Sequence, residues 1–137
     1  MNGPFTLTGE LAGTHLEAET QTNDFWGGYI SAGYFLTGEQ RGYDKNSGAV
    51  VGTLQPNRDF SWNNKTWGAW EVAARLSYLD LNSGTVVGGR MGIGMVGLNW
   101  YWNRYLRWQF NTGYANVKGG PTPGDLYIFQ ARLQMVF

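Results

Sequence analysis

The sequence predicts an all-β fold, an antiparallel meander of about six strands, on three observations. Apolar residues recur at every second position in several long segments, which is the strand period rather than the helical one. Runs rich in Gly, Asn, Ser and Pro, the residues of turns, separate those segments. The 137 residues include 21 Gly, 7 Trp, 8 Tyr and 7 Phe but only 15% charged side chains. That profile suits β-structure and excludes disorder, which is poor in aromatics and rich in charge.

Taken in order, the first strand is expected at roughly 4–16, where Phe5, Leu7 and Leu11 face away from Thr6, Thr8 and Glu10. The second, roughly 25–37, alternates Ile30, Ala32, Tyr34 and Leu36 with Ser31, Gly33, Phe35 and Thr37. The third, roughly 67–80, sets Trp70, Val72, Ala74, Leu76 and Tyr78 against Glu71, Ala73, Arg75 and Ser77. A fourth at roughly 91–102 carries Leu98, Trp100 and Trp102 on one face, and a fifth at roughly 104–116 carries Leu106, Trp108, Phe110, Thr112 and Tyr114. The last, roughly 125–137, repeats the alternation from Tyr127 to Phe137. Turns are expected at 17–24, 81–90 and 117–124, with Asn103 alone making one tight reversal. The stretch 38–66 is too long and polar for a turn and predicts a functional loop, with a short strand at 49–54.

Such faces suit either a soluble antiparallel sandwich or a transmembrane barrel with its apolar face in lipid and its polar face toward a lumen. Three features favour the barrel. Aromatics gather at strand ends (Trp26, Trp67, Trp70, Tyr78, Trp100, Trp102, Tyr114, Tyr127, Phe137), where interfacial girdles are built. Short and long connections alternate through the last three strands. The chain closes on Phe137 after an alternating strand, which looks like the signal read by the bacterial outer-membrane insertion machinery. No apolar run of about 18 residues predicts a transmembrane helix.

The runs GYFLTGEQRGY (33–43), WGAWEVAARLSYLDL (67–81), VGLNWYWN (96–103) and IFQARLQMVF (128–137), preceded by NGPFTLTGE (2–10), resemble the phosphate-selective porin O/P family. They follow the order and spacing of that family's C-terminal strands. The resemblance spans 1–137 as a single, partial transmembrane barrel domain, since these porins have about sixteen strands. It implies a bacterial outer-membrane location, passive diffusion of small anionic solutes such as phosphate, a homo-oligomer (a trimer), and partners in the lipid bilayer and the insertion machinery. It also implies that 38–66 is a periplasmic turn folding toward the lumen, with 81–90 and 117–124 extracellular. MNGPFTLTGE has no signal-peptide features, which predicts further sequence before it. The basic ladder and constriction that give these porins phosphate selectivity belong to preceding strands, so that specificity is not carried over.

With the polar faces inward, Glu10, Glu71, Arg75, Arg107 and Arg132 are the strand residues expected to line a pore, with Arg41, Lys45 and Arg58 from the long turn. A guanidinium stays charged and presents a fixed fork of donors, which suits transient oxyanion binding. The alternative for each arginine is an ion pair across strands, such as Arg75 with Glu71 or Glu10. The formal net charge of zero conceals an asymmetry. Residues 1–38 hold Glu10, Glu17, Glu19 and Asp24 and no Lys or Arg, whereas 90–137 hold Arg90, Arg104, Arg107, Lys118 and Arg132 against Asp125 alone.

Catalysis is not expected. One histidine, His15, and no cysteine exclude Cys/His nucleophile pairs and multi-histidine metal sites. Gly92, Gly94 and Gly97 precede no helix and read as small residues beneath an inward loop. No cofactor, metal or nucleic-acid partner is expected. The competing function is a soluble β-sandwich or barrel that binds carbohydrate or lipid through exposed aromatics.

Overall fold

The computed structural model describes residues 3–18, 21–40, 43–44, 49–50 and 54–137. Among the described residues eight strands run β1 (Phe5–Ala18), β2 (Gln21–Phe35), β3 (Tyr43–Asp44), β4 (Ala49–Val50), β5 (Ala69–Ser83), β6 (Val86–Tyr101), β7 (Leu106–Lys118) and β8 (Gly124–Met135). The six long ones form one antiparallel sheet in the order β1-β2-β5-β6-β7-β8, as the periodicity predicts. β3 and β4 pair only with each other, so the short strand expected at 49–54 does not extend the sheet. Residues 51–53 of that expectation lie outside the described ones.

The strands are longer than the sequence pattern indicates. Ala18 pairs with Gln21, and Ser83 with Val86, so the ladders run through most of the expected turns at 17–24 and 81–90. The physical reason is that alternation ends where the apolar surroundings end, while the backbone ladder continues into the polar rim. At 12 to 16 residues these strands exceed the roughly 9–11 that a tilted strand needs to cross a bilayer. A bulge interrupts the ladder between Asp80 and Asn82. Opposite Leu81 stand Gly88 and Gly89, where Gly89 adopts φ 93° and receives the Asn82 side-chain oxygen on its N–H at 3.0 Å.

The reversals between Ala18 and Gln21, Ser83 and Val86, and Lys118 and Gly124 mark one rim, which we call upper. Residues 36–40 and 54–68, the turn 102–105 and Val136 mark the lower rim. The reversal expected at Asn103 alone takes four residues. Trp102 and Asn103 donate their N–H groups to the Leu106 carbonyl, and the Asn103 side-chain oxygen accepts from Tyr105 and Leu106 N–H.

Few residues are buried. Phe35, Leu54, Ala69 and Tyr101 form one small cluster at the lower rim, with the Phe35 and Tyr101 rings 5.9 Å apart. Leu54 brings the long connection to this inner face, the direction the resemblance implies. Its second half turns the other way. Ser61 and Thr66 bridge into a small hairpin, and Phe60 packs against Trp100 and Trp102.

Gly68 joins that hairpin to β5 with φ 68°, and a Cβ there would lie 2.1 Å from the Tyr101 carbonyl oxygen. Gly68→Ala is therefore expected to destabilise the folded state by about 1–3 kcal/mol through enforced left-handed strain. Gly124→Ala, where nothing lies within 4 Å of the added carbon, should stay within about 0.5 kcal/mol of the parent. Urea midpoints of the assembled porin in detergent measure both.

Candidate functional site: the two faces of the sheet

Register decides which side chains share a face, because directly paired residues point the same way. On one face, which we call outer, Trp70–Trp100–Trp108, Val72–Leu98–Phe110 and Leu76–Gly94–Tyr114 lie in successive cross-strand rows. β2 adds Ile30 opposite Leu76 and Tyr34 opposite Val72, and β1 adds Phe5 and Leu7. Ile30, Leu76, Val96 and Phe129 are all more than half exposed. No soluble single sheet tolerates a contiguous apolar surface of this kind without a cover. Among the described residues no second long-stranded sheet covers it, which removes the packing partner a sandwich requires.

Two aromatic rows bound this apolar band. At its lower edge Trp70 stacks on Trp100 at 4.8 Å and 15°, and the Trp108 and Phe110 rings lie parallel at 6.0 Å. At its upper edge Trp26 meets Tyr78 at 5.1 Å and Tyr114 meets Tyr127 at 5.2 Å. Above that row the same face becomes polar: His15 bonds Asp24 at 2.5 Å, Arg90 pairs with Asp80 at 2.9 Å, and Asn116 bonds Asp125 at 2.5 Å. An apolar band between aromatic girdles with polar flanks is the profile of a lipid-facing wall.

The inner face carries charged, polar and small residues, with a few apolar ones such as Ile93, Met95 and Ile128 among them. Glu10, Glu71, Arg75, Arg107 and Arg132 all fall on it: Glu10 opposite Tyr29, Glu71 opposite Asn99, Arg75 opposite Ser31 and Met95, Arg107 opposite Gln134, and Arg132 opposite Gln109. Arg58 lies exposed in the lower-rim segment, and Arg41 and Lys45 lie outside the described residues. Arg75 stands over the Tyr29 ring at 3.7 Å and donates to the Ser77 hydroxyl at 3.1 Å. Among the described residues no carboxylate comes within ion-pairing distance of it, so the cross-strand pair with Glu71 or Glu10 does not form. Glu10, Tyr29, Arg75 and Ser77 line a shallow hollow of about 400 Å³ on this face.

A hydrogen-bonded network crosses four strands at the lower end of the inner face. Glu71 is only 2% exposed, and its carboxylate accepts from the Asn99 side-chain amide and the Tyr101 hydroxyl, both at 2.9 Å. Gln109 donates to the Asn99 side-chain oxygen at 3.2 Å. Arg107 donates to the Tyr101 hydroxyl at 3.4 Å, and through Nε and Nη2 to the Gln134 side-chain oxygen at 3.1 and 2.7 Å. Each guanidinium bond narrows Arg107's rotamers, which fixes where its charge stands. Asn99, Gln109 and Gln134 were legible only as polar residues on the inward parity. Cross-strand register is what joins them.

The glycines need a correction. Gly97 faces inward, where a Cβ would crowd the Asn111 side chain at 2.5 Å. Gly92 and Gly94 are instead on the outer face, in register with Tyr78 and Tyr114 respectively, so no inward loop explains them. Glu39, 4% exposed, ties the long segment to the wall: it accepts from the Asn57 N–H at 3.2 Å and the Thr37 hydroxyl, and Thr37 in turn accepts the Trp70 N–H at 3.0 Å.

A single sheet with one lipid-type face and one polar face, bounded by aromatic rows, defines a wall sector of a transmembrane β-barrel. The model of the family described as phosphate-selective porin O and P matches residues 1–137. The chain belongs to that family. It is 36% identical to an uncharacterised protein of Caulobacter vibrioides over 82% of this chain and 23% of that protein. It is 29% identical to Porin O of Pseudomonas aeruginosa over 98% of this chain and 33% of that protein. The chain thus spans between 23% and 33% of the length of these relatives. No solved structure matches it.

Glu71→Leu removes this buried acceptor from the Asn99 amide and the Tyr101 hydroxyl, and is expected to cost about 1–3 kcal/mol. Glu71→Gln, which keeps an oxygen there, should cost less. Urea titration followed by heat-modifiable gel migration ranks the two. At the upper rim, outside the apolar band, hydrogen bonds from His15 to Asp24 first and Glu17 second, with the Asp24 charge, hold the imidazole pKa above its ordinary value. That contribution to stability is complete below the ordinary histidine pKa and is lost as pH rises through the raised folded value. Asp24→Asn should bring the imidazole pKa down in an NMR titration, and His15→Gln should abolish this part of the pH dependence.

Proposed function

We propose that the six long strands form one sector of an outer-membrane porin wall, with the outer face in lipid and the inner face lining a water-filled path for small anionic solutes. The observation that carries this reading is the continuous apolar band on one face of the six strands, with Glu10, Glu71, Arg75, Arg107 and Arg132 all on the other, in a chain of a porin family. An open sheet in lipid is untenable, because the unpaired N–H and C=O groups of an edge strand find no water there. The edges of β1 and β8 are therefore joined to further strands in the working pore. The lower rim is periplasmic, and β8 presents the strand read by the insertion machinery.

Anion preference rests on the sign of the inner face, where three arginines stand with two glutamates. Glu71 is buried in its network, so its charge is turned away from the path. Arg75 is steadied by Tyr29 and Arg107 by Tyr101 and Gln134, and both retain donors for a passing oxyanion. Preorganised but weakly bound donors favour conduction, since a solute must leave as readily as it enters. Arg58 adds charge near the lower mouth, and Arg132 extends the basic wall along β8. Assembly as a homotrimer follows the family resemblance.

Reversal potentials across planar bilayers in a salt gradient test this reading on the assembled porin. Anion preference is expected, and Arg75→Gln with Arg107→Gln should shift the reversal potential toward the cation side without loss of folded, heat-modifiable protein. Cation preference in the parent would overturn the assignment of these arginines. A chain that remains a water-soluble monomer without detergent would overturn the membrane reading and favour the soluble carbohydrate- or lipid-binding sandwich.

A further inference from the structure

The hairpin bridged at Ser61 and Thr66 sits on the outer side of the wall, although the loop that carries it begins by turning inward. Phe60 donates its N–H to the Trp102 carbonyl at 2.6 Å, stacks on the Trp102 ring at 5.0 Å, and meets Trp100 edge-on at 5.4 Å. Trp100 donates its indole N–H to the Trp67 carbonyl at 2.7 Å. Trp100 belongs to the lower aromatic row through its stack on Trp70. The hairpin is thereby fastened to the lipid-facing surface and continues it downward by one layer.

Its own exposed surface has a definite chemistry. Trp62 is 78% and Trp67 58% exposed, and their rings meet edge-on at 6.4 Å. With Phe60, Ser61, Lys65 and Thr66 they line an apolar hollow of about 320 Å³. Lys65 is the one non-glycine described residue with positive φ, 53°, a conformation that costs energy and persists where the surroundings enforce it. Among the described residues no acceptor lies within hydrogen-bonding or ion-pairing distance of its ammonium group. Aromatic walls beside a lone cation match the two halves of a phospholipid at the interface, with the glycerol and upper acyl chain against the rings and the phosphate at the ammonium.

We propose that this hairpin is an interfacial foot that binds the phosphate headgroup of a phospholipid in the leaflet at the lower rim, anchoring the wall at that depth. The proposal rests on the membrane reading above. A free phosphate ion would use the lysine but leave the tryptophan walls unexplained, so a lipid is the occupant.

This chain has no cysteine, so each label site within it is single. Spin labels at Asn63→Cys in the hairpin, Phe129→Cys in the apolar band and Thr122→Cys in the upper connection, each in the assembled porin reconstituted into phosphatidylethanolamine–phosphatidylglycerol vesicles, report collisions with oxygen and with a water-soluble nickel chelate. The expected order is lipid depth at 129, interfacial depth at 63 and water at 122. Adding Trp62→Ala with Lys65→Glu should shift the label at 63 toward water, as should replacing the phospholipids by a phosphate-free galactolipid, while Lys65→Arg should preserve its depth. A label at 63 as wet as that at 122, with 129 still in lipid, overturns the foot but leaves the membrane reading intact. Water at 129 overturns both. Unchanged depth at 63 in galactolipid vesicles overturns phosphate recognition.

Discussion

A backbone amide in hydrocarbon must find its partner within the protein, and the rest of this structure follows from that constraint. It forces long, uninterrupted ladders, and the sheet supplies them from Phe5↔Tyr34 to Leu106↔Met135 with a single irregularity. That irregularity, at Asp80/Asn82, lies at the upper rim. There the Asn82 side chain reaches the Gly89 N–H and keeps the donor paired where the ladder cannot. Once the backbone is satisfied internally, the medium largely sorts the side chains. A continuous apolar band faces outward, and among the described residues the buried apolar cluster is small, around Phe35, Leu54, Ala69 and Tyr101.

That inversion makes the polar face the ordered one. In a soluble sheet, packing fixes side-chain positions. Here the hydrogen-bonded chain from Glu71 through Asn99 and Tyr101 to Arg107 and Gln134 does so on a face with little to pack against. Buried polar groups that satisfy one another are costly to disturb singly, so this network both stiffens the lower half of the wall and sets the position of one arginine. Glu39 and Thr37 perform the matching task for the long connection, tethering it at the backbone N–H of Trp70.

The sequence made the membrane-level part of the fold legible and little beyond it. Trp70 to Tyr78 and Tyr127 to Met135 alternate because lipid and lumen impose opposite demands at each step, so strand identity and facing could be read there directly. Glu17 to Asp24 and Leu81 to Arg90 read as turns because above the aromatic row both faces meet polar surroundings, and the period of two vanishes although the ladder persists. The inward parity of Glu10, Glu71, Arg75, Arg107 and Arg132 was readable for the same reason as the strands. Their partners were not, because Arg75's choice of Tyr29 over a carboxylate depends on register across strands that are 44 residues apart at Ser31 and Arg75. The outward turn of Phe60 to Trp67 was invisible because two tryptophans in a polar loop give no period to follow.

The unpaired edges carry their own information about what must lie beside them. On β8, Tyr127 and Phe129 are 82% and 78% exposed, far more than most of the band, because one flank of each has no neighbouring strand. A strand completing that ladder would continue the row Trp108–Leu133 and the row Thr112–Phe129 with apolar side chains, since those rows face lipid throughout. The rows through Gln130, Arg132 and Gln134 would meet polar ones. A carboxylate opposite Arg132 would neutralise it, as exposed cross-strand pairs commonly do, and a neutral amide would leave its charge to the lumen. The anion preference proposed for this sector would therefore depend on the neighbour of β8 as much as on the arginines it carries.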